Sequence, residues 1–237
     1  MARSYTPKLN KRVCMPETEK PENEKIVLHP MLSDEEAAAI AKETLKNLVL
    51  EYKPGQMVGS QGIYFGQYKP KDRKGNRLGK TFNVFAAPQD LPETMKYVDA
   101  VKHIAKLKGW NGFDGTNYPT DKEIYAALKD GSYKGGWIIP TRELLAGTEP
   151  DDESDIREGK VIQPDNLFNH QNKGAFKGTF KTAASSGSAY PGWYWSSTEY
   201  RENQSDVWGV RFSDGCGGWN RKDDLRLSCR PVRLVPA

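Results

Sequence analysis

The stretch that decides the fold is Trp193–Ala237, WYWSSTEYRENQSDVWGVRFSDGCGGWNRKDDLRLSCRPVRLVPA. From Val207 to Ser213 the residues alternate, which predicts a strand with Trp208, Val210 and Phe212 on one face and Gly209, Arg211 and Ser213 on the other. The first set reads as core. The second belongs to an irregular mixture of polar, charged and aromatic residues that follows no packing rule but supplies varied recognition chemistry. The candidate ligand-binding residues are Tyr200, Arg201, Asn203, Gln204, Asp206, Arg211, Ser213, Cys216, Trp219, Arg221, Asp223, Asp224 and Arg226. Tyr, Trp and Arg dominate interface hot spots, while Asn, Asp and Ser add adaptable hydrogen bonds. Trp193, Trp195, Trp208, Val210, Phe212, Leu225, Leu227 and Val232 form the apolar framework expected to be buried.

Four short motifs occur in order: IPTRELL at Ile139–Leu145, WYWSST at Trp193–Thr198, VWGVRF at Val207–Phe212 and SCRPVRLV at Ser228–Val235. Together they resemble a bacterial and phage branch of the C-type lectin fold, the formylglycine-generating-enzyme-like branch. It includes the variable ligand-binding proteins of diversity-generating retroelements. The resemblance covers residues 91–237. It implies an α+β protein with two helices, a small twisted antiparallel sheet and long loops, plus an N-terminal extension. It further implies non-enzymatic binding of a macromolecule, a protein or cell-surface receptor, by a segment over about 193–236 that a reverse transcriptase rewrites at adenines. Two alternatives stand beside it: a thiol- or metal-dependent oxidase related to the formylglycine-generating enzymes, and an undiversified structural or adhesion domain.

Bulk composition narrows the classes. The 237 residues carry 35 basic and 31 acidic side chains, a balance that argues against a nucleic-acid groove. The one basic run, GQYKPKDRKGNRLGK at Gly66–Lys80, lacks interleaved aromatics for stacking and reads as a solvated hairpin loop. No stretch has the length of a membrane span and the N-terminus has no apolar leader, so a soluble cytoplasmic or virion-associated protein is expected. Residues 1–25, rich in Lys, Glu and Pro, read as an extended arm, 26–90 as a helix and hairpin packed on or part of the main domain, and 91–237 as the binding domain.

Helical spacing runs from Ser33, with a capping box to Glu36, through Leu50, and again over Pro92–Leu107. Thr120 with Glu123 opens a third helical stretch and Pro140-Thr141 a short helical turn. Met57–Tyr68 and Thr81–Ala87 read as the strands of a hairpin.

No catalytic residue, metal ligand or cofactor is expected. The acidic run Glu149–Glu158 lacks the triplets of calcium-dependent lectins and reads as a solvated loop. Cys14, Cys216 and Cys229 are odd in number and widely spaced. Cys216 and Cys229 are expected in neighbouring strands, with Cys229 a buried small hydrophobe in phase with Leu225 and Leu227. His29, His103 and His170 are dispersed and accompany no nucleophile motif.

Overall fold

The computed structural model describes residues 33, 35–36, 52–72, 74–107, 119–147, 163–181 and 190–237. The chain divides into two units, Met1–Leu50 and Glu51–Ala237. In the first, the Ser33–Glu36 capping box is formed, with the Ser33 amide donating to Glu36 Oε2 at 2.9 Å and the Glu36 amide to Ser33 Oγ at 3.3 Å. The arm and the rest of the helix expected to Leu50 lie outside the described residues.

The second unit is α+β, with two antiparallel sheets. Strands β1 (Met57–Val58), β2 (Gly62–Tyr68), β3 (Phe82–Ala86) and β7 (Val232–Pro236) form one sheet in the order β1-β2-β3-β7. Strands β4 (Trp193–Glu199), β5 (Asp206–Arg211) and β6 (Gly217–Arg221) form the other. The strand expected over Met57–Tyr68 is broken by a 3-10 turn at Gly59–Gln61, so the expected hairpin is β2–β3, and β3 pairs with the C-terminal strand from Phe82↔Pro236 to Ala86↔Val232. A domain boundary at residue 90 would cut this ladder, so the hairpin belongs to the main domain.

The described helices of this unit are α1 (Tyr97–Lys106), α2 (Asp121–Asp130) and the short α3 (Arg142–Ala146) and α4 (Leu167–His170). Helix α1 begins five residues later than its apolar spacing suggests. The reason is backbone pairing: the Met95 amide donates to the Leu227 carbonyl at 3.0 Å, and Leu227 returns the bond at 3.1 Å, which holds residues before Tyr97 extended. Helix α2 starts as its capping box predicts, with the Thr120 amide donating to Glu123 Oε2 at 2.9 Å. At α3 the Thr141 hydroxyl caps the Leu144 amide at 3.2 Å.

Two apolar clusters lie on opposite sides of the β4–β5–β6 sheet. One joins Ile63, Phe65, Val84, Leu144, Leu145 and Leu234 to Tyr194, Val210 and Phe212; the other joins Met95, Tyr97, Val101, Ile104, Leu227 and Cys229 to Trp195 and Val207. Successive residues of β4 and β5 point to opposite faces, so both faces of β5 are buried. This corrects in part the expectation that one face of Val207–Ser213 is open: of the three residues placed on it, Arg211 is half-buried and Ser213 exposed. Gly209, expected on the open face, is buried, and a Cβ there would stand 3.0 Å from Leu227 Cδ1. Of the expected framework, Trp195, Trp208, Val210, Phe212, Leu227 and Val232 are buried, whereas Trp193 and Leu225 are half-buried against the second cluster.

Arg230, fully buried, ties the segments at Ala87–Asp90 and Thr179 to the segment that leads into β7. Its Nε donates to Asp90 Oδ1 at 2.6 Å, its Nη1 to the Ala87 and Pro88 carbonyls at 3.0 Å, and its Nη2 to the Thr179 carbonyl at 2.5 Å. Its plane lies 4.1 Å from the Phe180 ring centroid, and Tyr194 Oη donates to the other Asp90 oxygen at 2.7 Å. A buried charge persists only when paired and hydrogen-bonded in this way.

The basic run forms the β2–β3 loop. Asp72 Oδ1 accepts from the Lys74 and Asn76 amides at 2.9 and 2.8 Å, closing the turn. Arg77 reaches back to the buried Glu143, 3.2 Å from Nη2, which also accepts from Tyr68 Oη at 2.9 Å. Burial pushes the Glu143 carboxyl above its ordinary pKa.

Candidate ligand-binding face

The β5–β6 ladder sets the geometry. Trp208 pairs with Trp219, Asp206 with Arg221 and Val210 with Gly217. Residues directly opposite each other in an antiparallel pair project to the same side. Trp219 and Arg221 therefore share the side of Trp208, the side first assigned wholly to the core. Strand β6 reaches beyond the covering elements, so the same side that is buried under β5 is open under β6.

The edge position adds a second property. The Arg211 amide donates to the Cys216 carbonyl at 2.8 Å and the Lys222 amide to the Ser205 carbonyl at 3.0 Å. In an antiparallel ladder this phase makes Val207/Asn220 and Gly209/Gly218 the hydrogen-bonded pairs. The backbone N–H and C=O of Gly217, Trp219 and Arg221 then point away from β5, toward the edge.

Trp219 is 46% exposed, the largest apolar side chain displayed by this cassette. It stacks on Tyr200 with centroids 4.6 Å apart and planes 14° from parallel, and Tyr200 meets Trp208 edge-on at 5.9 Å. Beneath them the buried Arg142 guanidinium lies 3.8 Å from the Trp208 ring centroid. A Cβ at Gly217 would stand 2.9 Å from Arg142 Nη2, so the glycine makes room for the guanidinium. The Arg142 amide donates to Thr198 Oγ1 at 2.9 Å, which fixes α3 against β4. The result is a shelf of three rings and a cation, supported from below and open at Trp219.

Of the sequence-predicted residues, Arg201, Asn203, Gln204, Ser213, Arg221, Asp223, Asp224 and Arg226 are exposed, while Tyr200, Arg211 and Cys216 are half-buried. Asp206 is not part of the surface. It is 4% exposed and accepts from Asn203 Nδ2 at 2.9 Å, acting as the brace of the 200–206 turn. Arg211 lies on the opposite side of the sheet, with its guanidinium 5.7 Å from the Trp193 ring centroid, and does not join Trp219. It also holds the turn after β5: Nε donates to Asp214 Oδ1 at 2.9 Å, Nη2 pairs with Asp214 Oδ2, and Asp214 Oδ1 accepts from the Cys216 amide at 3.1 Å. These bonds hold the Asp214 carboxyl at a pKa of about 2. Arg226 donates to the Thr94 carbonyl at 3.3 Å, and Arg221 pairs with Asp223 at 3.3 Å in the open.

Sequence reasoning missed Arg142 and the Lys222–Glu199 pair, 2.7 Å apart and largely shielded, which supports the strand end beside Tyr200. The buried arginine sits in IPTRELL, read as a family motif and a helix start but not as part of the binding face, and no local signal distinguishes it from a surface arginine.

The cysteines do not occupy neighbouring strands. Cys216 precedes β6, which pairs with β5; Cys229 follows Ser228, which bridges Tyr194 of β4 and exchanges bonds of 2.9 Å with Trp193 and Trp195. Strands β4 and β5 intervene, a separation of roughly 14 Å at the usual strand spacing. Cys216 Sγ accepts from Arg211 Nη2 at 3.4 Å, and burial raises the pKa of Cys229 far above the ordinary range. His170 is buried with Nε2 3.4 Å from Asp165 Oδ1, and desolvation lowers its pKa; His103 is half-buried on α1, and His29 and Cys14 lie outside the described residues. Among the described residues no group of three His, Cys, Asp or Glu side chains is placed to hold a metal ion, and the run Glu149–Glu158 lies outside them. Nor is any described helix long and apolar enough to cross a membrane.

No protein-family model matches the chain, and no curated protein matches it.

Proposed function

We propose that this chain is a non-enzymatic binding protein of C-type lectin fold that displays a diversified surface to a macromolecular ligand. The observation that carries the reading is Trp219, almost half exposed yet stacked on Tyr200 above the buried Trp208 and Arg142. A large aromatic side chain held in place before binding gives contact area at little cost in entropy. The polar ring of Arg201, Asn203, Gln204, Arg221 and Asp224 surrounds it with varied, exposed chemistry. Outward backbone groups along β6 add donors and acceptors that persist whatever the side chains are.

The C-type lectin assignment rests on the four ordered motifs together with two longer helices, α1 and α2, and antiparallel sheets linked by long connections. The separation of Cys216 from Cys229 favours binding over a cysteine-pair oxidase.

A display library randomised at Arg201, Asn203, Gln204, Trp219 and Arg221 tests the reading. The expected result is that most members fold as the parent does, since surface changes usually cost within about 0.5 kcal/mol each, and that binders to a protein chosen in advance emerge. A library in which most members unfold contradicts it.

A further inference from the structure

A cleft of about 550 Å³ lies away from the Trp219 shelf, where α2 and the loop after it meet the end of β7. Its volume falls within the usual few hundred to one thousand Å³ of small-molecule sites. Phe82 and Tyr133, both buried, contribute its walls, and Lys80, Lys134 and Arg233 its charges. None of the described lining residues is acidic. In a chain with 35 basic and 31 acidic residues, three cations lining one cleft without a carboxylate is a local imbalance.

One of the three is fixed. The Arg233 guanidinium lies 4.1 Å from the Trp137 ring centroid, and its Nη1 donates to Gln61 Oε1 at 3.2 Å. Its Nε is buried without a hydrogen-bond partner. Lys134 spends one donor on the Gly131 carbonyl, 2.8 Å away, and its ammonium group has two more; Lys80 is exposed at the rim. We infer that this cleft binds a small molecule with an anionic head, a carboxylate or phosphate, and an apolar body that lies against the aromatic walls. A preset guanidinium with two adaptable ammonium groups suits such a head group.

Amide spectra of the full-length protein titrated with phenyl phosphate, benzoate and benzyl alcohol test this. The expected result is saturable shifts at Gly131, Gly135 and Val235 with one or both anions and none with the alcohol. If only phenyl phosphate acts, the head group is a phosphate; if both act, a single negative charge suffices. Replacing Lys80→Glu with Lys134→Glu is expected to weaken binding about tenfold. Trp219→Ala is expected to leave it unchanged. Should the charge-reversed variant lose its dispersed spectrum, Lys80→Gln with Lys134→Gln provides the same comparison with a smaller loss. The inference is overturned if neither anion gives saturable shifts, if benzyl alcohol shifts the same amides equally, or if the lysine variants bind as the parent does.

Discussion

Trp208 and Trp219 face each other directly across the β5–β6 ladder, on the same side of the sheet, yet one is 2% and the other 46% exposed. The difference comes from position: β5 is covered by α3 and the main core, whereas β6 is the edge. One pair of identical residues thus divides buried scaffold from exposed surface.

Truncating the two indoles separates these roles. Trp208→Ala removes a buried ring that packs against the Arg142 guanidinium and meets Tyr200 edge-on, and is expected to cost about 3–5 kcal/mol in chemical denaturation. Trp219→Ala is expected to cost about 1 kcal/mol or less. Equal costs would show that Trp219 is a core residue.

The strands, the capping boxes and most of the framework were legible in the sequence because each is set by neighbours a few residues away. Period-two apolarity located β5, and Ser33, Thr120 and Thr141 marked helix starts. The side on which a residue would lie relative to solvent was not legible. Alternation gave the correct phase of Trp208, Val210 and Phe212, but nothing local states that a second cluster, built on Tyr97, Ile104 and Leu227, would bury the other face. Asp206 was misplaced for the same reason: its burial depends on the fold of the 200–206 turn. Arg142 and Arg230 acquire their burial from partners 50 or more residues away.

The turn after β5 carries an acid-sensitive contact. Hydrogen bonds from Arg211 and the Cys216 amide depress the Asp214 pKa from 3.8 to about 2. A depressed carboxyl stabilises the fold above its unfolded pKa, and that contribution fades as pH falls from 3.8 through about 2. The carboxyl resonance of Asp214 is expected to titrate near 2, and in Arg211→Ala to move back toward 3.8. A parent midpoint near 3.8 would show that the Arg211 contact does not persist in solution.

Arg230 is expected to be indispensable to the scaffold. Arg230→Met leaves Asp90 buried beside Tyr194 without its countercharge, a loss of about 3–5 kcal/mol. Asp90→Asn added to Arg230→Met is expected to restore part of it, because no buried charge then stands alone. A single-variant cost within the range of surface substitutions contradicts the network described for SCRPVR.

The central claim is that evolution rewrites the shelf surface while the buried framework stays fixed. Sequencing the coding region for residues 193–236 across the source population tests it most directly. Substitutions are expected to concentrate at Arg201, Asn203, Gln204, Ser213, Trp219, Arg221, Asp223 and Asp224, with Asp206, Val207, Trp208, Val210 and Phe212 constant. Uniformly low variation, or variation spread equally over exposed and buried positions, would contradict the account.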